Sequence, residues 1–373
     1  MTRLLKAVGL AVLITAASAL NTAQAQTAVG GLQESHNDTI ARVNGGRVGI
    51  ISGGIDGTYI RMATDLSSVL DDGDRIRVLP IMGKGSVQNV SDILYLKGID
   101  IGIVQSDVLD FMKRNGAHRD IESRIHYITK LHDEEFHLVS ASGFSDIKQL
   151  ARRKVNFGVK GSGSAMTAAT VFSSLGVEVV PVHYDQALAI EKIRKGEIAA
   201  TVYMAGKPAP AISELKRKVG FRLLPVPLTE ELQETYLPAR ISASDYPKLV
   251  KRGASVDTIA VGAVMAVFNW QPTSARYQRV ARFINTFFSN FDDLKKAPRH
   301  RKWREVDLAA ELPGWTRFSY AEQWLAENKP EPQVSTTEAF KKFVAAQGPN
   351  SGFSQPELEA LFKKFVQWQQ IKQ

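Results

Sequence analysis

Apolar and polar positions follow a repeating order along this chain: a short apolar run, a polar turn rich in glycine, serine or threonine, then apolar residues at helical spacing. The first unit spans Val48 to Leu66. Val48, Ile50 and Ile51 read as a buried strand, Gly53, Gly54 and Gly57 permit tight or positive-φ backbone, and Thr58 or Asp56 can cap the helix that follows. Arg75 to Ile81 predicts a second strand, closed by Gly83 to Ser86 and followed by a helix over Val87 to Leu96. Gly98 stops that helix, and Ile99 to Val104 predicts a third strand leading through Gln105, Ser106 and Asp107 into another helix from Val108.

The order recurs further on. Lys154 to Lys160 predicts a strand, Gly161 to Ala165 its loop and Met166 to Leu175 a helix; then come a strand over Val177 to His183, a helix over Asp185 to Lys195 and a strand over Ile198 to Met204. Pro208 to Pro210 leads into a helix through Ile212 and Leu215, Thr258 to Phe268 predicts a strand returning to the first group, and Arg276 to Phe288 an amphipathic helix. Successive strand, loop and helix units imply a parallel sheet with crossover helices, whose ligands bind at the carboxyl ends of the strands. Two such groups imply two α/β lobes facing a cleft. The tail has a capping-box spacing at Ser354 to Glu357 and an apolar helical face of Leu358, Leu361, Phe362, Phe365 and Val366.

The N-terminus adds a destination. Arg3 and Lys6 precede an apolar run from Ala7 to Ala19, and Ala23-Gln24-Ala25 supplies small residues for cleavage before Gln26, a secretory signal pattern. Residues 26–46 are polar and are expected to be a flexible leader. The resulting organisation is a signal peptide over 1–25, the leader over 26–46, lobe I from 47–142 and 256–325, lobe II from 143–255, and a helical C-terminal extension over 326–373.

Composition narrows the chemistry. The chain has no cysteine, which excludes thiol nucleophiles and thiolate metal sites. Lys and Arg number 47 against 38 Asp and Glu, net +9; loss of Arg3 and Lys6 would leave 45 against 38, net +7. With 8% aromatics and no nucleic-acid motif, this charge fits anionic solutes, anionic lipid or solubility better than nucleic acid. Lys295 to Arg304 concentrates six basic residues without an acid.

No complete catalytic signature is present: no Gly-x-Ser-x-Gly elbow, no His-Glu-x-x-His, no phosphate loop, and Gly161-Ser162-Gly163 lacks the third glycine of a dinucleotide fingerprint. His126, His132 and His137 lie near Asp133, Glu134 and Glu135, but their spacing does not gather them on one helix face, so they are expected to be surface histidines, with no metal and no cofactor. What recurs is a set of Gly/Ser/Thr loops at Gly57 to Tyr59, Gly85-Ser86, Gln105 to Asp107 and Ser162 to Ser164, able to surround a polar solute with N–H groups and hydroxyls.

Five segments carry a family likeness: Gly53 to Tyr59, Gly85 to Asn89, Val104 to Asp107, Gly161 to Ser164, and Tyr203 to Ile212. Together, from about Val48 to about Trp324, the chain resembles the TAXI-type extracytoplasmic solute receptors of TRAP transporters. The resemblance implies a type II periplasmic binding-protein fold: two α/β lobes, a hinge of crossing strands, and a central cleft that traps a carboxylate such as an amino acid or dicarboxylate. It also implies a periplasmic location and delivery to an ion-driven TRAP permease. Carried over by position, it places Gly57, Thr58 and Tyr59 at the cleft, Ser86 and Asn89 from the second loop, Gln105 and Ser106 from the third, Ser162, Gly163 and Ser164 from the opposite lobe, and Tyr203. Asp107 either binds an amine or caps its helix, with the cap preferred, and Asp185 carries the same choice.

This sequence departs from the family pattern at Asp56, Lys84 and Lys160. Either lysine can be a solvated loop residue or can supply the counter-charge for a carboxylate. Two other functions fit the same residues: a sensor of the same fold docking on a membrane signalling protein through the basic run and tail, and an exported hydrolase using Ser162 or Ser164.

Overall fold

The computed structural model describes residues 35–328 apart from Asp56, Asp74 and Ala117. The expected signal peptide and most of the C-terminal extension lie outside these residues. Among the described residues, 35–318 form one compact unit, and the helix Ser319–Glu327 belongs to a second.

The first described element is not the expected flexible leader. Helix α1 (His36–Gly45) starts where the Ser35 hydroxyl accepts from Asn37 N, and the Gly45 carbonyl accepts from Arg282, so this polar stretch is held by its two ends although none of its residues is buried. The alternating units then appear as read: β1 (Arg47–Ile51), helix α2 (Thr58–Leu70), β2 (Arg77–Ile81), helix α3 (Ser86–Tyr95), β3 (Ile101–Gln105) and helix α4 (Val108–Arg114). Val48, Ile50 and Ile51 are at most 2% exposed, the buried run expected of a central parallel strand. At Gly49 a Cβ would lie 2.0 Å from the Gly98 carbonyl oxygen, so glycine lets the turn before β3 pass close to β1.

The element missing from the sequence reading is the longest one. β4 (Ile125–Ala141) is a 17-residue strand, in a stretch to which no element was assigned and whose histidines were expected at the surface. His132 and His137 are instead 1% and 0% exposed. The second group follows as β5 (Lys154–Asn156), helix α5 (Gly163–Ser174), β6 (Val180–Val182), helix α6 (Gln186–Arg194) and β7 (Ala200–Ala205), with short strands β8 (Phe221–Leu223) and β9 (Leu237–Ser242). The 14-residue β10 (Ser255–Phe268) and helix α7 (Ala275–Ser289) complete the unit.

All ten strands join one sheet in the order β2-β1-β3-β10-β4-β7-β5-β6, with β8 on β4 and β9 on β10. β1 pairs in parallel with β2 and β3, and β5 with β6 and β7. Between these ends β4 and β10 run antiparallel, with Ala260 opposite Glu135 and Phe268 opposite Ile125. β4 continues onto β7 and β10 onto β3, so each long strand serves both ends. One core gathers Ile51, Val90, Val104, Val108 and Val264; another gathers Phe136, Val155, Phe172, Val202 and Ile259. This is an α/β fold in which two groups of parallel strands with their helices share the long strands β4 and β10.

Two residues of the basic run, Lys302 and Trp303, are built into this frame, while Lys296, Arg301 and Arg304 are exposed. Trp303 is fully buried against Phe287 and Phe291, with ring centroids 6.0 and 6.5 Å away, and its indole N–H donates to Asp65. Lys302 is 2% exposed and pairs with Glu135 at 3.3 Å and Glu305 at 2.7 Å. Lys295 and Lys296 pair with Asp292 and Asp293 at the surface.

Removing one member of a buried ion pair strands the other. Lys302→Met is expected to lower unfolding free energy by about 3 kcal/mol in chemical denaturation, because Glu135 loses its buried cation.

Candidate functional site

Parallel strands that enter a sheet from the same side end at the same edge, so their loops meet there. Here those loops open helices α2, α3, α5 and α6, and all four helix N-termini line one cavity of about 180 Å³. One end of the sheet supplies Gly57, Thr58, Tyr59, Lys84, Ser86 and Gln105. The other supplies Ser162, Gly163, Ser164, Tyr184, Asp185 and Gln186, together with Tyr203 and Met204 of β7. Glu134 of the crossing strand β4 closes the set. A cavity below the ~300–1,000 Å³ of drug-sized clefts suits a small metabolite.

The two ends touch around this cavity. Gln88 N donates to the Gly161 carbonyl at 3.1 Å. A Cβ at Gly163 would fall 1.4 Å from Gln105 Oε1 and 2.6 Å from Ser86 Oγ, so only glycine lets the first turn of α5 approach this closely. The Ser86 hydroxyl donates to Gln105 Oε1 at 3.2 Å and accepts from Gln105 N at 3.0 Å; Gln105 Nε2 donates to Thr167 Oγ1 of α5 at 3.1 Å.

What the walls offer is mainly N–H and O–H. The N-caps of α2 and α3 are Gly57 and Gly85, which have no side chain to satisfy the first turn. Those of α5 and α6 cap themselves: Ser162 Oγ accepts from Ala165 N at 3.1 Å and Asp185 Oδ1 from Leu188 N at 2.9 Å. Ser164 Oγ accepts from Met204 N at 2.9 Å. A serine that accepts still has its proton to donate. Four positive helix ends aimed at one space favour an anionic group.

Four residues read as contacts lie elsewhere. Asn89 is fully buried behind the wall, donating to the carbonyls of Ser52 and Ile103. Ser106 and Asp107 line a separate cavity beside Trp315. Lys160 is exposed and does not reach the cavity, whereas Lys84 is exposed at its rim. For Asp107 the preferred cap is also corrected: its backbone is already helical, φ −81° and ψ −2°, so the side chain cannot turn back onto the helix and makes no capping bond. Its Oδ2 instead accepts from Thr167 at 3.3 Å and Tyr236 at 3.0 Å, and burial pushes its carboxyl up to about 6 against those hydrogen bonds. Asp185 is the cap that Asp107 is not.

Sequence reasoning missed Tyr184, Gln186 and Met204 among the lining residues, and with them the one that carries a buried acid, Glu134. On β4, successive side chains face opposite ways. Glu135 points to Lys302 and accepts from Lys207 N at 2.9 Å; Glu134 points to the cavity and accepts from the Tyr59 hydroxyl at 2.7 Å. Burial drives the Glu134 carboxyl up to about 8, with the Tyr59 hydrogen bond opposing, and burial likewise raises the Tyr59 hydroxyl well above its usual range. Among the described residues no group of three or more His, Asp or Glu side chains is placed to hold a metal ion.

Residues 50–313 match the model of the NMT1-like family. Among solved structures, the chain is similar to one described as a periplasmic transporter, at 13% identity over 76% of this chain and 92% of that one, TM-score 0.46. It is similar to the substrate-binding protein of an amino acid ABC transporter at 9% identity over 67% and 97%, TM-score 0.39. It is also similar to the periplasmic VFT2 domain of Bordetella pertussis BvgS at 10% identity over 74% and 99%, TM-score 0.40. Likenesses of this size decide nothing about ligand or partner.

A carboxyl held protonated in the fold but free to ionise in the unfolded chain makes the native state the stronger proton binder from about pH 4.5 to 8. Its contribution to stability is complete below pH 4.5 and is lost as pH rises through 8. Glu134→Gln removes that loss. The stability of the variant relative to the parent is expected to grow from pH 5 to pH 8, with a slope of at most ~1.4 kcal/mol per pH unit, in denaturation series at each pH.

Proposed function

The chain belongs to the NMT1-like family, and from that premise we propose that it is a periplasmic solute receptor of the TAXI type, capturing a small carboxylate-bearing metabolite for a TRAP permease. Family membership supports an extracytoplasmic solute-binding role, and no helix among the described residues is long and apolar enough to cross a membrane. The observation that carries the reading is the meeting of four helix N-termini, two from each end of one sheet, around a single small cavity. A carboxylate placed there accepts from backbone N–H groups and serine hydroxyls while the positive helix ends neutralise its charge.

Binding is expected to work by closure. Contacts from both ends favour the shut arrangement, so the ligand shifts the balance toward it by its differential affinity. β4 and β10 are the elements that would bend, being the strands shared by both ends. No covalent step is included: among the described residues neither Ser162 nor Ser164 donates to a histidine or carboxylate, which a hydrolase nucleophile requires. The resemblance of Gly53 to Tyr59, apart from Asp56, and of Tyr203 to Ile212 to the TAXI pattern supports that subfamily and, with it, a permease partner.

Mass spectrometry of protein purified under native conditions is expected to find one co-purifying carboxylate, calorimetry to measure its binding, and scattering to show a smaller radius at saturation; an unchanged radius would count against closure. With that solute, Lys84→Ala is expected to weaken binding by about fivefold at most, the worth of a solvent-exposed charge pair of about 1 kcal/mol, and Lys160→Ala to leave it unchanged.

A further inference from the structure

The cavity contains one acid whose partners do not account for it. Glu134 is 4% exposed, and its only hydrogen bond is the one its Oε2 accepts from Tyr59; Oε1 makes none among the described residues. The nearest ring nitrogen, His132 Nε2, stands 3.9 Å from Oε1, and neither nitrogen of that histidine has a hydrogen-bond partner. Burial, with the charges of Lys302, His300 and Lys130 adding to it, lowers the His132 pKa well below its usual value, so the ring brings no positive charge. Lys302, the buried cation of this region, is engaged by Glu135 and Glu305. The other charged groups facing Glu134 are Glu135 and Asp107, both acids, while Lys84 and Asp185 share the cavity wall.

A residue needed only to accept from Tyr59 would serve as well uncharged, as glutamine. A carboxyl turned into a ligand cavity with an open oxygen and no counter-ion has the chemistry of a cation receptor. We propose that Glu134 receives an ammonium group of the ligand, so that the solute is an amino acid whose carboxylate lies at the helix N-termini and whose amine lies at β4. This rests on the receptor reading above and narrows its carboxylate class, excluding plain dicarboxylates. Binding would then proceed with a balanced proton transfer: Glu134 releases its proton to solvent, and the ligand ammonium takes up the hydrogen-bonded, paired position beside the carboxylate. The elevated pKa of Glu134 is consistent with a group protonated in the empty cavity.

The test uses the whole protein and pairs of probes differing only in the amine: alanine and propionate, aspartate and succinate, glutamate and glutarate, phenylalanine and 3-phenylpropionate. Calorimetry at pH 7 in phosphate and in Tris is expected to show the amino acid of at least one pair binding at least about tenfold more tightly than its amine-free partner, with release of about one proton. Its affinity is expected to rise from pH 6 to pH 8, by nearly tenfold over the first unit and about fivefold over the second. Glu134→Gln, which keeps an acceptor for Tyr59, is expected to remove the preference, the proton release and the pH dependence together. Equal binding of the two members of every pair that binds, or an unchanged preference in Glu134→Gln, would overturn the assignment while leaving the receptor reading intact. If the variant does not fold, the paired probes on the unmodified protein decide the matter, since equal binding of both members of every pair that binds overturns the assignment. Absence of binding by every probe and by any co-purified solute would remove the receptor reading and this assignment with it.

Discussion

The antiparallel pairing of β4 with β10 is the constraint from which the rest of the molecule follows. Two parallel groups, β2-β1-β3 and β7-β5-β6, would each be a small sheet with a long exposed edge if they stood alone. Because β4 passes from β10 onto β7 and β10 passes from β4 onto β3, each group gains a paired neighbour and the carboxyl ends of both are brought to a shared space. The register shifts within the pair, at Gly262/Val264 and Met265/Ala266, lie where the two strands cross between the groups. Irregularities of this kind bend and twist a strand pair.

The same crossing strand sets the electrostatics. Alternation along β4 sends Glu134 to the cavity and Glu135 to the opposite side, where Lys302 and the backbone of Lys207 hold it. Two adjacent acids therefore have opposite circumstances from one geometric cause: one is paired inside the protein and one is open to a guest. The overall excess of basic residues does not describe this interior, where Asp107 and Glu134 are acids whose ionisation burial opposes. Positive character in the cavity comes instead from helix ends, and the exposed Lys84 adds to it only at the rim.

Much of this was legible in the chain. Apolar runs such as Val48 to Ile51, glycine turns such as Gly53 to Gly57, and helical spacing after them located β1, α2 and their counterparts, since a local period of two or 3.6 needs no long-range information. The convergence of Thr58, Ser86, Gln105 and Ser162 on one cavity followed from parallel strands sharing an edge. β4 was hidden because residues 132–135, His-Asp-Glu-Glu, interrupt its apolar pattern, and their partners, Lys302, Lys207 and Tyr59, are distant in sequence. Asn89 read as a contact because the family resemblance placed it there by position; it donates to the backbone of Ser52 and Ile103 instead. That Lys302 and Trp303 of the basic run are buried was not legible, because their partners Glu135 and Asp65 are distant in sequence.

The account turns on one guest molecule being held from both ends of the sheet at once. Hydrogen exchange of the backbone amides, measured with and without the co-purified solute, tests this most directly. Slowed exchange is expected together at residues 58–60 and 86–88 on one side and 163–165 and 186–188 on the other, the first turns of α2, α3, α5 and α6. Protection confined to one pair of helices, or absent from all four, would contradict it.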